Sequence, residues 1–187
     1  MARVVVALSV LALMLAGCGD DGGGEESAST PAPKSDAPAA EGTGYTLQPP
    51  EDFRDLADKF EGSAIRVDLA YAEKGGSDGF ATNIVVIREQ PGGEFELEDA
   101  VDVFTKQAES QATDEGISEV EDRELDGVPA KTWAFQRRGE DNGRIRQRQV
   151  VAVKDRAIYT ITWSVAADEF DEQEATLDEI LASWRWT

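Results

Sequence analysis

Between Ile117 and Val165 the chain repeats one pattern four times: a stretch of about nine residues that suits a strand, then a short polar break. Ile117 to Leu125 ends at Asp126-Gly127, Ala130 to Arg138 ends at Glu140-Asp141-Asn142-Gly143, Ile145 to Val153 ends at Lys154-Asp155-Arg156, and Ala157 to Val165 closes the set. Asp-Gly and Asn-Gly supply the positive φ angles that tight hairpin turns require, so consecutive strands must pair antiparallel. In the last of them Tyr159, Ile161, Trp163 and Val165 share one face and Thr160, Thr162 and Ser164 the other. A two-residue period of this kind predicts that the aromatic face is buried.

Upstream, Ile65, Val67, Leu69 and Tyr71 alternate with smaller or polar residues, which predicts a half-buried strand, and Gly75 to Gly79 turns the chain. Thr82 to Arg88, through Ile84-Val85-Val86-Ile87, is apolar on both faces and therefore central in its sheet. Leu97, Ala100, Val101, Phe104 and Ala108 then form one helical stripe that ends before Gly116. A second stripe, Phe170, Leu177, Ile180, Leu181 and Trp184, follows Asp168, which reads as the N-cap, with acids in the first turn where the helix dipole favours them. Strands near 45, 65, 84, 119, 133, 149 and 161 with two helices predict an α+β domain: a twisted antiparallel sheet of six to seven strands flanked by helices.

The N-terminus says where such a domain resides. Arg3, an apolar run from Val4 to Leu15 and the small residues Ala16-Gly17 before Cys18 describe a secretory signal, the run being too short for a stable bilayer span. Leu15-Ala16-Gly17-Cys18 resembles the lipobox of bacterial lipoproteins, which implies that Cys18 is acylated and becomes the mature N-terminus. Residues 1–17 are then the signal peptide. Residues 18–44, rich in Gly, Ser, Pro, Ala and acids, lack the apolar surface needed to offset ordering and read as a disordered tether, and residues 45–187 are the folded domain. A flexible chain of that length holds the domain about 25–30 Å from its anchor. The expected location is the extracytoplasmic face of the cell membrane, with the membrane itself a partner through lipid.

The chain has no histidine, one cysteine, and 38 Asp and Glu against 18 Lys and Arg, for a net charge of −20. Without imidazole, Ser-His-Asp and Cys-His catalysis are excluded, and zinc sites rarely form from carboxylates alone. The acidic balance opposes binding to nucleic acid. No calcium-loop spacing is present, and Asp141-Asn142-Gly143 reads as a turn. With its one sulfur acylated the domain has no disulfide and is held by its core alone. No metal, no cofactor and no catalytic activity are expected.

Positive charge nonetheless gathers between residues 131 and 156, where Lys131, Arg137, Arg138, Arg144, Arg146, Arg148, Lys154 and Arg156 meet only Glu140, Asp141 and Asp155. Arg144, Arg146 and Arg148 alternate and leave one face of a strand; with Arg137 they are the candidate docking residues for an anionic partner, since guanidinium forks suit carboxylates and phosphates. The plainer alternative is a solvated face balancing nearby acids. Trp133, Trp163, Trp184 and Trp186 are candidates to line a pocket, with core packing the favoured role. Asn83, interrupting an apolar strand, reads as a hydrogen-bonded buried amide.

Several strings in order carry a family likeness: Phe80-Ala81-Thr82-Asn83-Ile84-Val85-Val86, Leu125-Asp126-Gly127-Val128-Pro129-Ala130, Ala157-Ile158-Tyr159-Thr160-Ile161-Thr162 and Ile180-Leu181-Ala182-Ser183-Trp184. Over residues 45–187 the chain resembles the Mog1/PsbP-like superfamily, and more narrowly the Lpq-type lipoproteins of mycobacteria and other actinobacteria. The resemblance implies an antiparallel sheet between helices that binds other proteins or assists complexes instead of catalysing a reaction. The water-oxidation role of the plant branch and the GTPase partner of the yeast branch do not transfer. The expected function is that of a non-catalytic binding or assembly module of the cell envelope, whose partner is an envelope protein, a wall polymer or a lipid; the alternative is a carrier or sensor of an apolar ligand held between helix and sheet.

Overall fold

A computed structural model describes residues 38–62, 66–75, 80–93, 95–113, 115–139 and 142–187. The stretches read as signal peptide and tether lie outside these as far as residue 37, with Cys18, as do Ile65, the turn at 76–79 and Glu140-Asp141 of the hairpin break. The elements are β1 (Ala40–Gly42), β2 (Tyr45–Leu47), β3 (Phe53–Asp55), a 3-10 turn (Ala57–Phe60), β4 (Val67–Glu73), β5 (Asn83–Glu89), α1 (Leu97–Gln111), β6 (Glu121–Leu125), β7 (Val128–Arg138), β8 (Arg144–Lys154), β9 (Ala157–Ala166), α2 (Phe170–Ser183) and β10 (Arg185–Trp186).

The main sheet has seven strands in the order β3-β4-β5-β9-β8-β7-β6, every neighbouring pair antiparallel. The hairpin series closes as the turn residues dictate: Asp126 and Gly127 adopt φ of 47° and 81°, and Asn142 a φ of 64°. Asp155 and Arg156 also take positive φ, 50° and 62°, so the β8–β9 turn is held in the same geometry without a glycine. The chain enters the sheet differently from the expectation. The strand near Tyr45 belongs to a second, three-stranded sheet in which β2 lies between β1 and β10, and β3 completes the main sheet in its stead. Among the described residues the first strand, Ala40–Gly42, also lies inside the stretch assigned to the tether. These are strands of two or three residues, too short to carry a period.

The sheet is covered on both faces. On one, Ala100, Phe104 and Ala108 of α1 pack on Trp133, Phe135, Val151 and Ile158, and α1 begins with a reciprocal capping box between Glu96 and Asp99. On the other, Phe170, Leu177, Ile180 and Leu181 of α2 pack on Ile84, Val86, Val150, Ile161 and Trp163. The predicted aromatic face of β9 is buried there. Its opposite face is buried too, with Thr160 4% and Ser164 3% exposed, because β9 is the middle strand of seven with a layer on either side. The N-cap of α2 is Glu169, one residue beyond the expected Asp168.

Candidate functional site

The long strands run the length of the domain, and their two ends differ chemically. At one end the β7–β8 hairpin brings Arg138 and Arg144 directly opposite each other, with Gln136 opposite Arg146 and Ala134 opposite Arg148. Arg144, Arg146 and Arg148 share the α2 face as their alternation predicts, yet they do different things. Arg148 donates from Nη2 to Glu174 Oε1 of α2 at 2.5 Å, and its guanidinium lies 5.5 Å from the Phe170 ring centre. Arg146 stacks on the same ring at 4.5 Å. These two therefore help to seat the first turns of α2 on the sheet. Arg144 is exposed, and with Gln136, Ala167 and Asp168 it lines a cleft of about 420 Å³ between the hairpin and the start of α2. Its main-chain oxygen accepts from Ala167 N at 2.9 Å, which fixes one cleft wall to the other.

Arg137 does not join this row. It lies on the α1 face, 9% exposed, and its Nη1 donates to the Arg138 carbonyl at 3.3 Å; burial lowers its affinity for its proton. Arg138, which composition placed in the basic stretch without singling it out, takes the position beside Arg144 instead. The only signal for it in the sequence is hairpin register: it is opposite Arg144 because β7 ends at the one and β8 begins at the other.

At the other end the arrangement is closed. Tyr45 stacks on Trp184 at 3.9 Å and 5°, Tyr159 meets Trp186 edge-on at 4.9 Å, and Trp186 Nε1 donates to the Leu125 carbonyl at 2.7 Å. The Tyr159 hydroxyl donates to the Thr43 carbonyl, and Asp68 accepts from the Thr43 N–H and hydroxyl. Burial, and secondarily Asp68, raises the Tyr45 phenol far above its ordinary range. Lys154 covers the Trp186 ring at 5.7 Å.

The four tryptophans do not line one pocket. Trp133 packs under α1, Trp163 stacks on Phe53 under the α2 face, and Trp184 and Trp186 form the aromatic end. Asn83 donates from Nδ2 to the Ala81 carbonyl at 2.9 Å, the bonded buried amide that its position predicted. Elsewhere cations meet acids: Arg123 pairs with Asp178 at 2.6 Å, Lys131 with Asp122, and Lys154 with Asp155 at 2.7 Å. Among the described residues no three of Cys, Asp or Glu come together as a metal site requires, and no helix is long and apolar enough to cross a membrane.

Comparison with solved structures places this arrangement among PsbP-like folds. The solution structure of the cyanobacterial PsbP protein CyanoP from Synechocystis superposes with a TM-score of 0.58 at 19% identity, covering 87% of this chain and 98% of that one. The crystal structure of LpqN, involved in cell envelope biogenesis of Mycobacterium tuberculosis, gives 0.58 at 16% identity over 76% of this chain and 83% of that one. Both likenesses bear out the PsbP-like fold that the four strings imply. No curated protein sequence matches the chain. A family model, DcrB, does match it, over residues 46–183 and so over nearly all of the domain that the two helices and the long hairpins build, and the chain belongs to the DcrB family.

Proposed function

We propose that this chain is a docking domain of the bacterial cell envelope, tethered to the outer face of the membrane through lipid on Cys18, and that it binds a partner without catalysing a reaction. The observation that carries the reading is the division of labour within the fold. Both faces of the sheet are occupied by packed helices, and at the β7–β8 hairpin two exposed guanidinium groups, Arg138 and Arg144, stand directly opposite each other, Arg144 on the rim of an open cleft. A rigid scaffold that presents its distinctive side chains at one end suits surface recognition. The lipobox-like Leu15-Ala16-Gly17-Cys18 supports an envelope address, as does the fold shared with LpqN, a protein involved in envelope biogenesis.

The test has two arms. Fractionation of cells expressing the Cys18→Ser chain should move the protein from the membrane to the soluble fraction, and membrane retention by that variant would overturn the tether. Photo-crosslinking from position 144 in living cells should capture a discrete partner, while crosslinking from Lys106 on the exposed side of α1 should not; equal capture from both would overturn a docking end.

A further inference from the structure

We propose that Arg138, Arg144 and Arg146 form a phosphate clamp at the end of the domain remote from its tether, and that the clamp takes a phosphodiester-bearing wall polymer. The proposal rests on the docking reading above and names the ligand class.

The first ground is the juxtaposition of like charges. Among the described residues Arg123, Lys131, Arg148, Lys154 and Arg185 have an acidic partner within 4 Å while Arg54, Arg66, Arg88 and Arg156 do not, so what marks the hairpin is that its cations stand side by side. Among the described residues Arg138, Arg144 and Arg146 form no ion pair. Arg138 and Arg144 are direct cross-strand neighbours, a position that brings Cβ atoms to about 4.5–5.5 Å and makes like charges repel. Arg146 follows on the same face, about 7 Å further along the strand, and Phe170 orients its guanidinium without neutralising it. An anion seated between the forks converts that repulsion into attraction.

Shape and neighbouring chemistry narrow the anion. Guanidinium forks grip phosphate oxygens two at a time. Anchored at Cβ positions roughly 5–7 Å apart, three separate forks can grip successive charges on one strand of polymer. Beside Arg144 the cleft of about 420 Å³ is lined by Gln136, whose amide can both donate to and accept from a hydroxyl, and by Asp168, whose carboxylate can accept from one, and it accommodates one small polar repeat unit. Hydroxyls flanking phosphates meet that description better than the methylenes flanking the carboxylates of an acidic peptide. The overall charge of −20 repels polyanions at long range, so the contact is short-ranged and depends on geometry.

Polarity separates a wall polymer from the headgroups of the anchoring membrane. The chain joins the domain at the opposite end, where Thr43 is bonded to Tyr159 and Tyr45 is stacked on Trp184. From Arg144 to Lys154, β8 extends about 34 Å, so the clamp lies at the far end of the sheet from the point where the chain enters the domain.

The mature full-length chain, carried in vesicles of neutral phosphatidylcholine, would be titrated with purified poly(glycerol phosphate) at low and at moderate salt. Saturable binding that weakens with salt is expected, with affinity lost by about tenfold or more in Arg138→Gln/Arg144→Gln, by a few-fold in Arg146→Gln, and not at all in Lys154→Gln at the far end. Cooperative denaturation with midpoints close to that of the parent chain would show that the variants are folded. Equal affinity in the double variant, equal binding of polyglutamate of matched length, or binding only to phosphatidylglycerol vesicles would each overturn the clamp, as would no binding to the polymer. Since anchoring is read separately by fractionation of Cys18→Ser, a failed titration with anchoring intact removes the ligand and leaves the docking domain standing.

Discussion

The two ends of the β7–β8–β9 ladder are built from the same strands and obey opposite rules. Around Tyr45, Tyr159, Trp184 and Trp186 aromatic rings interlock, β1, β2 and β10 from opposite ends of the described residues are drawn into one small sheet, and Lys154 has both a carboxylate partner and a ring beneath it. Around Arg138 and Arg144 like charges face each other across a ladder in a chain where acids outnumber bases. One end is closed by packed rings; the other holds two guanidinium groups side by side at the surface. Local violations of packing and pairing rules concentrate at functional positions in natural proteins.

Substitutions can break or sharpen this contrast. The largest effect is expected from Trp184→Ala, which removes a fully buried ring stacked on Tyr45 and should cost about 3–5 kcal/mol in urea denaturation. A loss under about 1 kcal/mol would mean that the aromatic end is not a structural clasp. Gly42→Ala comes next: a Cβ there would sit 2.1 Å from Tyr45 Cζ, so the ring must move, at a cost of about 1–3 kcal/mol measured the same way. Glu174→Gln, which breaks the half-exposed pair with Arg148, should cost only about 0.5–1 kcal/mol and leave one more guanidinium at the start of α2 without a carboxylate.

Smaller still, and opposite in sign, are two further changes. Glu89, at the aromatic end of β5, has its carboxyl pKa raised by burial alone. Its folded-state value lies above the unfolded one, so the native state holds the proton more tightly, and the penalty present at neutral pH disappears as pH falls through that raised value. Glu89→Gln should therefore stabilise the protein at pH 7 by a few tenths of a kcal/mol and flatten the rise in stability that this carboxyl is expected to give on mild acidification, as read by urea denaturation across pH. Arg144→Gln should leave stability unchanged or raise it by about 0.2–0.5 kcal/mol by relieving the repulsion with Arg138; a clear destabilisation would place Arg144 among the structural residues instead of the docking ones.

Much of the fold is legible in local pattern. The Asp126-Gly127 and Asn142-Gly143 turns, the two-residue period of β9 and the stripes of α1 and α2 each encode one element within a short window, and each occurs in the structure. The three short strands β1, β3 and β10 are not encoded that way. Two or three residues hold no period, and they become strands only because partners distant in sequence supply the other half of each ladder. The N-cap at Glu169 in place of Asp168 is a boundary of the same kind, set where β9 releases the chain.

The candidate site divides along the same line. Alternation alone puts Arg144, Arg146 and Arg148 on one face, because side chains on a strand reverse direction at every residue. Alternation cannot say which of them is engaged. That Arg148 is held by Glu174, that Arg146 lies on Phe170, that Arg137 turns to the other face and that Arg138 stands beside Arg144 are facts of register and of where α2 comes to rest. By itself the sequence determined an antiparallel α+β domain, since turn geometry and hydrophobic period act over a few neighbouring residues. Which guanidinium groups remain available, and at which end, was decided by tertiary structure alone, because a charge is neutralised by whatever side chain the fold brings within a few ångströms, however far away it lies along the chain.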